Sequence, residues 1–423
     1  MNELTHPLTN ISTTSPQKSW RAPAIATMLA AVVIATPANA EMTNPPPSLM
    51  AGNIAFALDL YQQLKASEGN LFFSPHSLSA ALAMTYTGAR GQTEEEMAKT
   101  LHFNLPPSKL PAAFGALDRR LAEIGSEKQV ALKVANSLWA QSDYSFTESF
   151  LNLNRRHFGA EVALVDFARQ TESTRRQINS WVAGKTADKI TEVVAPGVLS
   201  PMTRLVLCNA IYFKGDWARR FDPSATKEAD FYAAHQRIVK VPLMYQRLNL
   251  KGRELKDGLS LFELPYQGGA LSMIVLLPKA KDGLGALESR LTQENLDRWL
   301  AELAQSREAK AQVFLPRFKL SSLFALEKTL AEMGMASAFG AGADFSGMTG
   351  KRDLAISAVA HQAVVEVNEQ GTEAAAATAV FVERTSISPM QVFRADHPFM
   401  FLIRENQTGS MLFLGRVMDP RKS

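Results

Sequence analysis

Few side chains in this 423-residue sequence have the types and spacings that catalyse reactions. The one cysteine, Cys208, has the chemistry of a nucleophile, but it lies in RLVLCNAIYF, an apolar, β-branched run typical of a buried strand. We therefore interpret Cys208 as a core residue. Asp396 and His397 have the residue types of a catalytic dyad. Because adjacent strand residues point to opposite faces, we expect these two side chains not to share a site.

Motifs for catalysis and metal binding are missing from the sequence. It contains no HExxH, no GxSxG, no phosphate-binding GxxxxGK[ST], and no GxGxxG between a strand and a helix. The seven histidines do not pair at metal-ligand spacing, and one cysteine cannot build a thiolate zinc site. The sequence therefore predicts a protein that is not an enzyme and that holds no cofactor and no metal.

Composition and charge indicate a globular protein. Hydrophobic residues make up 46% of the chain and charged residues 20%, and the formal net charge is +4. The basic residues are interspersed with acidic ones and form no long cluster, which favours solvated faces over a nucleic-acid groove. We expect no nucleic-acid partner.

The N-terminus has the pattern of an export signal. Lys18 and Arg21 precede an apolar stretch too short to span a bilayer, and Ala38-Asn39-Ala40 resembles a small-residue cleavage site. We predict a signal peptide over residues 1–40, a Pro-rich lead-in over 41–47 and one domain over 48–423. An uncleaved anchor or a misassigned start codon remains an alternative. Cleavage after Ala40 would give a secreted or periplasmic protein with no membrane attachment.

The elements that must position any site follow from hydrophobic periodicity. Helical patterns occupy the first half, at residues 50–68, 74–89, 93–101, 110–125 and 171–186, with a later one at 284–304. Strand patterns dominate the rest, at residues 129–141, 204–217, 259–267, 271–279, 311–322, 390–396, 398–406 and 411–419. Early helices followed by runs of strands predict an α+β fold with large antiparallel or mixed sheets around one core.

A long segment near the C-terminus has neither an apolar periodicity nor a tight turn. It runs from Gly371 to about Pro389, and connections of this length are usually functional or disordered. It contains VERTSIS, which has the exposed, extended character of a protease substrate. The sequence therefore predicts an exposed loop suited to cleavage.

The chain resembles the serpin family in motifs that span residues 48 to 420 in the family's order. The motifs are NLFFSPHSLSAALAMTYTGARGQT (70–93), LCNAIYFKGDW (207–217), VFLPRFKL (313–320), ADFSGMTG (343–350), HQAVVEVNEQGTEAAAATAV (361–380), FRADHPFMFLI (393–403) and LFLGRVMDP (412–420). The resemblance implies the serpin fold, with about nine helices and three β-sheets in one metastable domain. It also implies an exposed reactive-centre loop at about residues 369–392. With the predicted signal peptide taken into account, the chain is identified as an exported, bacterial-type member of the family.

The resemblance implies a suicide inhibitor of serine proteases, and cysteine proteases are a second possible target class. In this family the protease cuts the loop and forms an acyl-enzyme, and the cut loop then enters the main sheet as an extra strand. The partner would be held in a covalent 1:1 complex by a monomeric inhibitor. A non-inhibitory binding or chaperone-like serpin is the alternative function.

The alternation of side chains in the loop favours an inhibitor over a non-inhibitory serpin. A segment that becomes a central strand must bury every second side chain, and charged or bulky groups there would oppose entry. One face of the segment carries only small or β-branched residues, whereas the first charge, Glu373, falls on the other face. By resemblance the hinge comprises Glu369, Gly371, Thr372, Ala374, Ala376 and Thr378.

Other family positions carry over residue by residue. Ser74, Ser77, Asn209 and His361 match a hydrogen-bonded cluster that controls opening of the main sheet. Trp217 and Arg317 match the loop-entry region, where Arg317 would pair with Glu369 in an exposed bridge of about 0 to 1 kcal/mol.

Two positions are open for the reactive bond. Family spacing from Glu369 gives Thr385 and Ser386, which suits elastase-like or subtilisin-like proteases with small pockets. One step earlier gives Arg384 and Thr385, which suits trypsin-like proteases because an acidic pocket binds arginine.

Overall fold

The computed structural model describes residues 42, 44–126, 130–160, 162–234, 237–370 and 390–422. The predicted signal peptide, residues 1–40, lies outside the described residues. The hinge from Gly371 onward and both candidate reactive bonds also lie outside the described residues.

The described residues form ten α-helices and fourteen strands. The helices are α1 (Pro47–Leu64), α2 (Pro75–Tyr86), α3 (Gly91–Thr100), α4 (Leu110–Ser126), α5 (Glu148–Phe158), α6 (Phe167–Lys185), α7 (Leu284–Ser289), α8 (Gln293–Gln305), α9 (Glu327–Leu330) and α10 (Ser346–Thr349). The strands are β1 (Leu71–Phe73), β2 (Val130–Gln141), β3 (Val162–Val165), β4 (Leu205–Gly215), β5 (Lys227–Ala233), β6 (Arg237–Glu254), β7 (Leu259–Pro265), β8 (Leu271–Pro278), β9 (Glu308–Pro316), β10 (Phe318–Ala325), β11 (Ala358–Val367), β12 (Gln391–Arg394), β13 (Phe399–Glu405) and β14 (Met411–Val417).

Five strands form the sheet that carries the candidate site, in the order β10-β11-β4-β2-β3. The central pair, β11 and β4, is parallel and in register over eight residues, from Ala358 opposite Val206 to Val365 opposite Phe213. Both flanking pairs, β10 with β11 and β2 with β4, are antiparallel. The junction of β4 and β11 is therefore the one place in this sheet where two long strands pair in parallel.

The remaining strands form two further sheets that share the long strand β6. Its C-terminal end pairs with β7 in the order β1-β14-β13-β8-β7, and its earlier part pairs with β5 and β9, which pairs in turn with β12. The α+β class and the three predicted sheets are thereby confirmed among the described residues.

Both faces of the five-stranded sheet are covered at its centre. Leu207 and Phe213 of β4 belong to the large core that includes α2, whereas Val206 and Tyr212 pack with Ile178 and Val182 of α6. A strand added to this sheet would therefore bury one face against the core, and α6 lies over the opposite face.

Two predicted elements are each divided in the structure. The predicted helix over 284–304 is two helices, because Thr292 caps α8 by accepting a hydrogen bond from Asn295 N. The predicted strand over 311–322 is β9 and β10, which separate at Arg317. Elements α5, α9, α10, β1, β3, β5, β6 and β11 are not among the predicted ranges.

Candidate functional site

The predicted sheet-opening residues meet beneath the β4–β11 junction. Ser74 caps α2, as its oxygen accepts from Ser77 N at 3.2 Å, and its hydroxyl donates to Leu412 O at 2.7 Å. Asn209 of β4 donates to Ser77 Oγ at 2.6 Å. His361 of β11 lies 2.5 Å from Asn209 Oδ1 and accepts from Ser74 N at 3.2 Å. All four predicted residues therefore form one cluster.

The tautomer of His361 follows from its partners. A backbone N–H can only donate, so Nε2 accepts from Ser74 and Nδ1 carries the proton that it donates to Asn209. Burial lowers the pKa of His361 to about 3, because the cluster offers no solvent to a charged ring. A neutral imidazole thus bridges the two strands that an inserted strand would separate.

One member of the cluster, Asn136 of β2, was missed from the sequence. Its side-chain oxygen accepts a hydrogen bond from Asn209 Nδ2. Asn136 pairs directly with Asn209 across β2 and β4, so the polar network extends over three adjacent strands. An asparagine within a strand pattern was the available signal, but only the strand register identifies its partner.

The predicted loop-entry residues Arg317 and Glu369 are in contact, but their ion pair is not the exposed bridge that was expected. Glu369 is 4% exposed rather than surface-exposed. Arg317 Nε donates to both of its carboxylate oxygens at 2.6 Å, and Thr226 Oγ1 donates to one at 2.5 Å. Burial acts to raise the pKa of Glu369, but the hydrogen bonds from Arg317 and Thr226 outweigh it and hold the pKa below its usual value.

Trp217 fixes the backbone beside this ion pair. Its indole Nε1 donates to Asn368 O at 2.9 Å, and its ring stacks on Tyr266 with centroids 4.7 Å apart. Phe221 N donates to Glu369 O at 2.9 Å. The chain is therefore held firmly at the end of β11, immediately before the segment that carries the hinge.

The expectation for Asp396 and His397 was wrong. These residues lie between β12 and β13 rather than within a strand, and His397 Nδ1 is 2.9 Å from Asp396 Oδ1. The other ring nitrogen donates to Pro278 O at 2.6 Å. Both ring nitrogens are thus occupied by structural contacts.

Cys208 is fully buried on β4, as predicted, and burial raises the pKa of its thiol far above the ordinary value. Among the described residues no group of His, Cys, Asp or Glu has the arrangement of a metal site. Within the same ranges no helix is long and apolar enough to cross a membrane.

Comparison with known proteins decides the family. The model of the family "Serpin (serine protease inhibitor)" matches residues 51–420. This chain belongs to the serpin family. A leukocyte elastase inhibitor from Sus scrofa is 43% identical over 379 residues, which cover 88% of this chain and 99% of that protein. The leukocyte elastase inhibitor of Homo sapiens is 41% identical over 380 residues, with the same shares of the two chains.

The fold agrees with a solved serpin structure. Uncleaved ovalbumin superposes with a TM-score of 0.80 at 31% identity, covering 88% of this chain and 100% of that one. The chain is thus a serine protease inhibitor with the serpin fold and is not an enzyme. In such an inhibitor the cut loop enters the main sheet as a new strand and traps the protease as a suicide substrate.

We expect the new strand to enter this serpin at the parallel β4–β11 junction. The loop continues directly from β11, so a strand that folds back beside β11 is antiparallel to both β11 and β4. Insertion therefore exchanges one parallel pairing for two antiparallel ones, which are slightly more stable per residue. The same step must break the hydrogen bond between His361 and Asn209.

The neutral His361 predicts an acid dependence of the stability of the intact serpin. Between pH 6.5 and about 3 the unfolded histidine binds a proton that the folded one does not, so stability falls as pH falls. We expect the stability advantage of the wild type over His361→Gln to shrink by about 2 kcal/mol between pH 7.5 and 5, at about 1.4 kcal/mol per pH unit below 6.5. Urea unfolding of both proteins measures this. A gap that is constant with pH would contradict the prediction.

Proposed function

We propose that this serpin inhibits an elastase-like serine protease and that the reactive bond joins Thr385 and Ser386. The carrying observation is the small residue Thr385 at the family spacing from Glu369, with the apolar residues Val382 and Ile387 on either side. A narrow specificity pocket accepts a small side chain and excludes a large one. The names of the porcine and human relatives, leukocyte elastase inhibitors, agree with this class of target.

The structure supports the proposal by where it holds the start of the loop. Glu369 is fixed by Arg317, Thr226 and the backbone of Phe221, so the distance along the chain to the reactive bond is counted from a rigid point. Thr385 lies sixteen residues beyond it. Cleavage there leaves a tethered segment longer than the eight-residue junction it would enter.

The alternative is a trypsin-like protease that cleaves after Arg384. Two matched variants distinguish it from an elastase-like protease that cleaves after Thr385. Thr385→Asp should abolish the SDS-stable complex with pancreatic elastase, because a small apolar pocket cannot bind a carboxylate. Arg384→Ala should retain that complex. Mass spectrometry of the peptide released from the wild-type complex should give a fragment that begins at Ser386. A fragment that begins at Thr385, with complexes formed by trypsin alone, would overturn the assignment.

Cysteine proteases are tested by incubating the same serpin with papain and looking for an SDS-stable complex.

We also propose that this serpin is an exported, bacterial-type protein that acts as a monomer in 1:1 complexes. The relatives named above are mammalian, so this part of the proposal rests on the leader at residues 1–40. Expression of the full chain in a Gram-negative host should give a periplasmic or secreted protein that begins at Glu41. A product that retains residues 1–40 in the cytoplasm would refute export.

A further inference from the structure

The C-terminal side of the reactive-centre loop has a short anchor. The described chain resumes just before β12, an edge strand that, within the part the structure describes, pairs with β9 alone over four residues. Ser386 lies five positions before Gln391, the first residue of β12, whereas Thr385 lies sixteen positions beyond Glu369. Five residues span at most about 18 Å. Of the two anchors of the loop, β12 therefore restricts the position of the proposed reactive bond more tightly.

A buried histidine fixes the chain where it leaves β12. His397 is 6% exposed and lies three residues beyond the end of the strand. Its Nδ1 is 2.9 Å from Asp396 Oδ1, and its Nε2 is 2.6 Å from Pro278 O, at the end of β8. The same segment contacts β5, because Tyr232 N donates to Asp396 O at 2.7 Å. The short strand β12 thus leads directly into contacts with β5 and β8.

The partners of His397 determine its charge. Pro278 O is a carbonyl oxygen and can only accept a hydrogen bond. Burial acts to raise the pKa of Asp396, but the hydrogen bonds from His397 and Arg394 outweigh it and hold the pKa below its usual value, so this side chain also accepts. Both ring nitrogens of His397 therefore donate, and the imidazole carries a positive charge. His361 has the opposite state, since it accepts at one ring nitrogen.

The charges around His397 offer the ring one carboxylate. The ionisable groups on the segments that contact it are Asp396, Arg394, Lys279, Lys281 and Tyr232. Arg394 Nε donates to Asp396 Oδ2 at 2.8 Å, so each carboxylate oxygen has its own cation. Lys281 Nζ lies 3.1 Å from the centre of the Tyr232 ring. Of these groups Asp396 alone is acidic at neutral pH, and the ring and Arg394 share it.

From this geometry we infer that His397 is a positioning residue for inhibition, whose imidazolium fixes β12 so that the reactive bond is presented to the protease. When alkaline pH removes one ring proton, a nitrogen lone pair faces the oxygen of Asp396 or Pro278, and that hydrogen bond is lost. The pairing of β12 with β9 and the stacking of Phe393 on Phe262, with centroids 4.9 Å apart, remain. The loop thus stays attached but is held less firmly. Presentation to the protease rests on the proposed inhibitory function, whereas the charge of the ring does not.

Nitrogen-15 NMR of the intact mature chain tests the charge. Burial alone favours a neutral histidine, so a buried ring that is still doubly protonated at about pH 6 must be stabilised by its acceptors. We expect two protonated ring nitrogens for His397 at this pH and one for His361, whose pKa burial lowers to about 3. The signals are assigned from their absence in His397→Gln and His361→Gln. A neutral His397 ring at about pH 6 would overturn the inference.

The rate constant for inhibition of pancreatic elastase tests the positioning role. Wild type is compared with His397→Lys, because a lysine ammonium stays charged and donates between about pH 6 and 9. Both inhibitors meet the same protease, so the ratio of their rate constants cancels the pH dependence of elastase itself. We expect this ratio, wild type over His397→Lys, to fall at least about threefold from about pH 6 to 9. His361 does not contribute, since it stays neutral over this range.

Two further variants are controls for this measurement. His397→Gln is uncharged at every pH, so its ratio to His397→Lys should not change with pH, and it replaces His397→Lys as the reference if that variant does not fold. His102→Gln removes a partly exposed histidine that lies 2.7 Å from Asp59, and it should keep the wild-type dependence.

A wild-type ratio that is constant with pH would refute the positioning role, as would loss of the dependence in His102→Gln. If NMR shows the imidazolium but neither wild type nor any variant traps a protease, the proposed function fails and the charge of His397 stands.

Discussion

Replacing Ala376 with arginine should convert this serpin from an inhibitor into a substrate. Ala376 is on the face of the hinge that carries only small or β-branched residues, and the β4–β11 junction is packed against the core and beneath α6. An unpaired guanidinium entering that interior costs several kcal/mol, which slows insertion more than about a hundredfold. The acyl-enzyme would then hydrolyse first. Incubation with elastase should give cleaved serpin, active protease and no SDS-stable complex.

The neighbouring residue provides a matched control. Ala375 is on the face that carries Glu373 and would meet α6 rather than the core, so Ala375→Arg should lower the yield of covalent complex less than Ala376→Arg does. If Ala376→Arg traps elastase as efficiently as the wild type, the loop does not insert with this face toward the core.

Cleavage of the wild-type loop should raise the melting temperature by at least about 10 °C. An inserted strand exchanges the eight-residue parallel pairing of β4 with β11 for two antiparallel pairings, a net gain of about one ladder of hydrogen bonds. At about 1 kcal/mol per bond the gain is roughly 8 kcal/mol, before the burial of the alanine, threonine and valine side chains is added. In a chain of this size each kcal/mol corresponds to about 1–2 °C. Differential scanning calorimetry before and after elastase cleavage measures the shift.

Cleaved Ala376→Arg is the control for this second measurement, since a cut loop that stays outside the sheet should leave the melting temperature nearly unchanged. A wild-type protein that melts at the same temperature before and after complete cleavage would show that the loop does not enter the sheet.

Much of the fold followed from sequence periodicity because the central strands are strongly patterned. β4 is apolar and β-branched along nearly its whole length, and its bounds differ little from those predicted. β6 was missed because charged residues alternate irregularly through it and Pro242 interrupts it. α5 was not predicted, although its residues have a strong helical periodicity.

The candidate site was predictable in its members but not in its energetics. The four cluster residues were assigned by resemblance, and the structure joins them through hydrogen bonds. Asn136 and Thr226 were not found, because each contacts the site only through strands and turns that lie far from it in sequence. Burial of Glu369 was missed for the same reason, because its contacts come from Arg317, Thr226 and the backbone of Phe221, which all lie far from it in sequence.

The buried anchor at Glu369 has a consequence for kinetics. Inhibition is a race between two rates, hydrolysis of the acyl-enzyme by water and movement of the loop into the sheet. We expect the second rate to depend on the contacts that hold the Glu369 carboxylate, which come from Arg317 and Thr226, and neither residue lies in the segment that a protease recognises. Substitutions at these two positions would therefore change the rate of loop insertion, and with it the fraction of protease that is trapped, while leaving the choice of protease unchanged.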